Sequence, residues 1–522
     1  MVRLTQSPMR WFRLWIITLV ILGIFFRIVN LDQKVYWRDE ALTSLRISGY
    51  TVVQVIDQTF GGQTVSLDDL QTFQRLSPTA KPLETIYTIA RDNPHHPPLY
   101  FLITQYWAKW FGDSASALRS LSVLFSLASL FLMYWLCREL FANSHVAEVA
   151  IALFAVSPFQ LLYAQEARPY SLWIATILLS STLLLRALRF STALSWIAYA
   201  VSVVLGLYTA LFSVFIVIGH CLYVLITERC RLTARLKAFL IASGASLAAF
   251  LPWLIVVKQN ISQINESTSW VNQTISLPTQ IKIWLLNGVR IFFDIDFKLG
   301  NPLGFFAILI VVLIPFSLYF LWRYSRENAY LFVLCLIGVT ACVLVGSDGL
   351  FGGVRSVTAR YVIPCILGIQ IAVAHLLATQ CTVPSPLFSP LFKQHQFWKT
   401  ITALVLSLGL LSSAMISQAD SWWNKYSDEY NFVVSDIVNE SPNSVLMSFS
   451  GSVGQILSLS HSLNSNVKLR LFMNSEVKHL PDDPGTIFLL NPSKDLRDHL
   501  RQEEGYQVEN IHQPGNLWRL ER

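Results

Sequence analysis

Four short stretches of this 522-residue chain carry side chains suited to acid–base and anion-binding chemistry. VYWRDEALTSL, residues 35 to 45, sets Arg38, Asp39 and Glu40 side by side. RDNPHHPPLYF carries Asp92, His95 and His96; YAQEARPYSL carries Glu166, Arg168 and Tyr170; VRSVTARYVIP carries Arg355, Arg360 and Tyr361. A carboxylate within reach of an acceptor hydroxyl or amine acts as a general base. Arginine recognises phosphate through a planar fork, and preorganised donors stabilise a departing anion. Together these residue types supply carboxylate, imidazole and guanidinium groups, the means of acid–base and anion-binding chemistry.

Each stretch also has a plain structural reading. Asp39 and Glu40 suit the first turn of a helix, where the positive end of the dipole favours acids. HPP suits a helix start. Glu166 and Arg168 can form an interfacial pair with Pro169 opening the next helix, and Arg355 and Arg360 can snorkel. What weighs against four independent structural readings is the positioning of the stretches by the rest of the chain.

The chain is 53% hydrophobic and only 14% charged, with mean hydropathy +0.48; a soluble protein carries roughly 25% charged residues. The composition predicts an all-α polytopic membrane protein. Its net charge of +7 fits basic cytoplasmic loops, and no basic patch with interleaved aromatics points to nucleic acid. The leading apolar run is of spanning length, lacks a small-residue cleavage site and is expected to remain as a helix with Arg3, Arg10 and Arg13 inside. Ten further runs follow, at about 117–136, 146–164, 170–188, 194–208, 211–227, 236–257, 303–322, 328–346, 360–379 and 399–417, for eleven spans. PSPLFSP at 384–390 reads as a short rigid inner linker.

Segment 97–111 carries Lys109 and is short for a span, so charge decides its assignment. If it lies flat on the outer surface, CRELFANSH, RALRF, TERCRLTARLK and WRYSREN all fall inside, as the positive-inside rule requires. Tyr100, Tyr106, Trp107 and Trp110 then suit the interfacial aromatic belt. The outer face collects the loop 31–116, the turns after 164 and near 209, the loops 258–302 and 347–359, and a tail. All four reactive stretches therefore meet the same side of the membrane, and charge beside hydrocarbon persists mainly where it faces water, a partner or a substrate. The tail, 418–522, alternates strand-like VLMSFS, KLRLFM and TIFLL with helix-like VGQILSLSHSL and KDLRDHLRQEE, which predicts a small α/β domain. The domain division expected is 1–417 and 418–522.

In this order, "DEA" after the first span, "HPPLYF" before an interfacial helix, "QEARPY" at the end of the third span and "ARY" before a late one resemble the GT-C membrane glycosyltransferases. The likeness is to the bacterial branch related to protein O-mannosyltransferases and the lipid A aminoarabinose transferase (glycosyltransferase family 39), over about residues 10–380. The resemblance implies a GT-C fold and a polyprenyl-phosphate sugar as donor. The sugar is then transferred to a lipid, glycan or protein acceptor outside a bacterial-type plasma membrane. The N-terminus is expected in the cytoplasm and the tail outside. The resemblance also implies Asp39 as the catalytic acid of the first loop with Glu40 beside it, Glu166 as a second outer acid, and His96 before the double proline. Relatives often read Tyr-Thr-His-Tyr after the fifth span; here Tyr208 and Thr209 precede Ala210 and Leu211.

A phosphodiester leaves as a stable anion, unlike the alkoxide of a glycosidase, so a single base suffices: Asp39, with inversion at the anomeric carbon. His95, His96, Arg168, Tyr170, Tyr208, Arg355, Arg360 and Tyr361 are the candidate donor contacts. A divalent cation (Mg or Mn) on Asp39, Glu40 and Glu166 is the alternative means of neutralising the phosphate. The rival class is a transporter or flippase, which would concentrate charge near the bilayer midplane; here Glu148 and His220 are the residues nearest that description, and both are more often structural.

Overall fold

The computed structural model describes residues 7–296, 302–325, 328–382, 394–473 and 485–521; Arg3 and the linker 384–390 lie outside the described residues. The chain forms two compact units. The first comprises Met1–Val29, Pro94–Tyr100 and Arg119–Gln418, the second Asn30–Asn93, Phe101–Leu118 and Ala419–Arg522.

Helices built from the apolar runs make up the first unit. Among the described residues seven helices are long and apolar enough to cross a membrane, and the bent pair Ser144–Ala155 and Pro158–Ala164 makes an eighth if it is one span. Each expected run has become a helix, but length and apolarity alone do not reach eleven spans. Ala193–Thr209 has 17 residues and Ser213–Thr227 has 15; at 1.5 Å per residue both fall short of a hydrocarbon layer about 30 Å thick. Leu99–Phe111, at 13 residues, is shorter still, with Trp110 79% exposed.

The bend in the 144–164 pair has a local cause. Pro158 opens the second helix and the Ser157 hydroxyl accepts from Gln160 N–H, so the helical hydrogen-bond ladder ends there and the last carbonyls of the first helix are open to further donors. Arg27, buried, supplies them: its guanidinium donates to Phe154 O at 3.0 Å, Ala155 O at 2.5 Å and Ser126 Oγ at 2.9 Å. A charge in a span is thereby satisfied by carbonyls that a proline exposes. The most buried span, Ile363–Thr382, packs on Ser144–Ala155, Phe306–Tyr324 and Ala329–Phe351.

In the second unit the core is a six-stranded sheet of β1 (Gly61–Val65), β2 (Val445–Phe449), β3 (Lys468–Phe472), β4 (Ile487–Leu490), β5 (Gln507–His512) and β6 (Leu517–Glu521), in the order β1-β3-β2-β4-β6-β5. β2 runs parallel to β3 and β4, and the other pairs are antiparallel. Every residue of β2 and β4 is buried, as central strands covered on both faces require. The strand-like runs of the tail are β2, β3 and β4. β1, however, comes from the first loop: GGQTV pairs antiparallel with β3, and Gly62 sits at φ +81 against the Phe472 ring. The structural units thus divide the chain differently from a boundary at 418. The helix Arg38–Ile47 packs on Val453–Leu459 of the tail.

Candidate functional site

In the first unit the turn QEARPY is pinned from one side by Gln165, whose amide donates to Phe26 O at 2.9 Å and Val29 O at 3.0 Å at the end of the leading helix. Pro169 then opens Tyr170–Phe190. Between them Arg168 N–H donates to Glu166 O at 2.7 Å, a tight local turn that holds both side chains in the interior. Glu166 is 0% and Arg168 2% exposed. The Arg168 guanidinium meets His96 Nε2 at 3.2 Å. Arginine only donates, so His96 Nε2 accepts and its ring proton sits on Nδ1. The His95 ring lies beside it, tilted, at 4.3 Å between centroids, and Trp253 Nε1 donates to Pro94 O at 3.2 Å, fixing the start of the HPP turn.

From Arg168 a run of aromatic rings leads to the ARY stretch. The guanidinium lies 5.9 Å from the Tyr170 ring. Trp173, one turn on and on the same helix face, lies 6.3 Å from Phe212, which meets Tyr361 edge-on at 4.8 Å. Arg360 lies over Trp270 at 5.3 Å and Tyr361 at 5.7 Å, distances at which cation–π attraction operates. Arg168 thus meets His96 and Tyr170 directly, while Arg360 lies over Tyr361, which meets Phe212 and, through it, Trp173 on the Tyr170 helix. Ala210 is the C-cap of Ala193–Thr209, and Phe212 is the residue before Ser213–Thr227.

Two candidates are engaged elsewhere. Arg355 is held by Asp348 at 3.3 Å, by Gly352 O at 2.8 Å and by Asn272, so its charge is matched within the 348–356 loop. Tyr208 donates its hydroxyl to Ala249 O at 3.0 Å and packs edge-on against Phe250. His220 lies between Ser181 at 3.3 Å and Tyr199 at 3.2 Å, and Glu148 between Arg13 and His145; both are structural contacts. Trp173, Phe212, Trp270 and Asp348 were not legible as site residues, because an aromatic in a span or an acid in a loop is unremarkable until its neighbours are known.

In the second unit RDEA opens the helix Arg38–Ile47, with Trp37 as an N-cap that makes no side-chain cap bond. The missing cap comes from the tail: Asp428, fully buried, accepts from Arg38 N–H at 2.7 Å and from the Arg38 guanidinium at 2.6 and 3.0 Å. Burial works to lower the Arg38 pKa, but the hydrogen bond and charge of Asp428, with the charge of Asp39, outweigh it and raise it. Glu40, 0% exposed, pairs with buried Lys425 at 3.2 Å, and Lys425 lies over the Trp37 ring at 5.4 Å. Asp39, half-buried between these two locked neighbours, takes the second helical position, where the dipole favours its negative charge. Asp92 accepts from Val52 N–H at 2.7 Å and caps Val52–Thr59.

Among the described residues no group of three or more His, Cys, Asp or Glu side chains is placed to hold a metal ion.

Residues 95–256 match the family described as dolichyl-phosphate-mannose-protein mannosyltransferase. No curated protein sequence matches the chain significantly. Among solved structures it is similar to ArnT from Cupriavidus metallidurans bound to undecaprenyl phosphate, at 11% identity over 97% of each chain and TM-score 0.49. It is also similar to the Archaeoglobus fulgidus oligosaccharyltransferase, at 13% identity over 86% of this chain and 64% of that one, TM-score 0.47. A third match is arabinofuranosyltransferase AftD from Mycobacteria, at 15% identity over 80% and 30%, TM-score 0.42. The matched family segment contains both HPPLYF and QEARPY and covers less than half of this multi-pass membrane protein.

Proposed function

We propose that this protein transfers a sugar from a polyprenyl-phosphate donor to an acceptor on the outer face of a bacterial-type plasma membrane, with its N-terminus in the cytoplasm and its tail outside. The observation that carries this reading is the buried Arg168 guanidinium on His96, inside the segment whose family is named for a dolichyl-phosphate sugar. A buried guanidinium and an imidazole Nδ1–H at the end of a span are the donors a lipid-linked phosphate needs. Arg360, set among Trp270 and Tyr361, is the further cation.

In the transfer step the acceptor oxygen or nitrogen attacks the anomeric carbon and its proton passes to the Asp39 carboxylate. The bond from that carbon to the phosphate oxygen breaks, and the electron pair leaves with the polyprenyl phosphate. A single displacement inverts the configuration. No step is assigned to a metal.

Purified protein assayed with a panel of undecaprenyl-phosphate-linked sugars, and mass spectrometry of lipids accumulating in a deletion strain, identify donor and acceptor together. Asp39→Asn is expected to abolish transfer without loss of folded protein, and normal turnover by that variant rules out Asp39 as base. Protease added outside sealed cells is expected to remove the tail; its protection overturns the orientation.

A further inference from the structure

Asp39 has an unusual setting: the residues on both sides of it are gripped by one short segment of the tail nearly 400 positions away. On one side Asp428 holds Arg38 both at its backbone N–H and through the guanidinium fork. On the other, Lys425 holds Glu40 in a buried ion pair. The segment that presents these two residues, WNKYSDEY, is itself over-determined. Tyr426, between them, sits at φ +53, a left-handed conformation rare for a bulky side chain, and its ring stacks on Trp37 at 6.1 Å. A backbone of this kind persists where its surroundings enforce it, and such positions cluster at functional sites.

We infer that Asp428 and Lys425 are positioning residues for the transfer reaction: together they clamp the first turn of Arg38–Ile47 and hold the Asp39 carboxylate in its reactive placement. This inference rests on the reading of Asp39 as the base. The arrangement gives the tail a task that no motif in it announces. The grip on Arg38 N–H replaces the cap that Trp37 does not supply, so helix and carboxylate share one anchor. The Lys425 contact neutralises Glu40, the acid next to Asp39.

The test uses the full-length protein with the undecaprenyl-phosphate-linked sugar that it turns over. Asp428→Ala and Lys425→Met are each expected to lower kcat about 10²-fold, the scale of a 1 Å misplacement, while the donor KM stays at the wild-type value. Asp428→Asn keeps an acceptor for Arg38 N–H and is expected to recover part of the loss. The exchanged pair Glu40→Lys with Lys425→Glu is expected to recover more than either single change. Wild-type kcat in both Asp428→Ala and Lys425→Met overturns the inference. So does a loss that follows the folded fraction, measured by size-exclusion recovery, with no recovery in the conservative or exchanged variants. If Asp39→Asn itself retains turnover, the underlying reading of the base has failed instead, and the two failures are distinguished by that one variant.

Discussion

The Arg168 guanidinium meets His96 Nε2 at 3.2 Å across 72 positions of sequence. This contact joins two motifs that are separate in the chain, HPPLYF and QEARPY, by pairing a buried guanidinium with a half-buried imidazole. It also assigns the histidine tautomer, since an arginine N–H leaves Nε2 only the role of acceptor.

Replacing Arg168 removes the partner that orients His96 and, under the proposed function, a hydrogen-bond donor to the phosphate. Arg168→Ala is expected to lower kcat about 10²–10³-fold, the loss seen when one preorganised donor to a developing anion is deleted. Arg168→Lys is expected to recover little, because an ammonium on a flexible stem lacks the fork. Steady-state kinetics with the donor, on protein of verified folded fraction, decides this; full activity in Arg168→Lys removes the fork from the mechanism.

Arg355 and Arg360, five residues apart, are expected to behave differently. Arg355→Ala leaves Asp348, with a side chain only 2% exposed, without its cation; breaking such a buried pair costs about 3 kcal/mol. Its signature is a lower melting temperature, with donor KM unchanged in the folded fraction. Arg360→Ala removes a cation held by cation–π contacts worth about 1 kcal/mol, so melting moves little while donor KM rises. Thermal melts in detergent paired with donor titrations separate the two, and a reversed pattern refutes the assignment.

Asp92 provides the pH-dependent case. Burial raises its pKa from 3.8, against the opposing Val52 N–H bond and the charges of Arg46 and Arg91. A carboxyl raised in the folded state binds its proton more tightly there than in the unfolded chain. Its stabilising contribution is fully present below 3.8 and is lost as pH rises through the folded value. Asp92→Asn keeps an acceptor for Val52 N–H without the charge. The variant is expected to melt at or above the wild-type temperature at neutral pH, the difference vanishing below pH 3.8. A variant less stable at neutral pH than at low pH, relative to wild type, contradicts this sign.

The composition and apolar runs were enough to establish a polytopic helical protein and to locate its helices, because transfer of apolar surface into hydrocarbon depends on local content over about 20 residues. Charged clusters beside those runs were legible for the same reason: charge is scarce there and stands out. The strands of the tail, β2, β3 and β4, were visible as short apolar runs, whereas β1, GGQTV, has no apolar alternation and becomes a strand by pairing with β3.

What sequence could not decide is which charges are matched. Arg355 and Arg360 look alike in VRSVTARY, yet one is held by Asp348 and the other lies over Trp270. Asp39 and Glu40 are adjacent acids, and Glu40 is fully buried against Lys425 while Asp39 is half-buried. Residue type and local spacing determined membrane class, helix positions and the list of reactive side chains. Tertiary structure alone selected among them, because the interaction of two charges depends on their separation and burial, and the partners here lie up to 390 residues away along the chain.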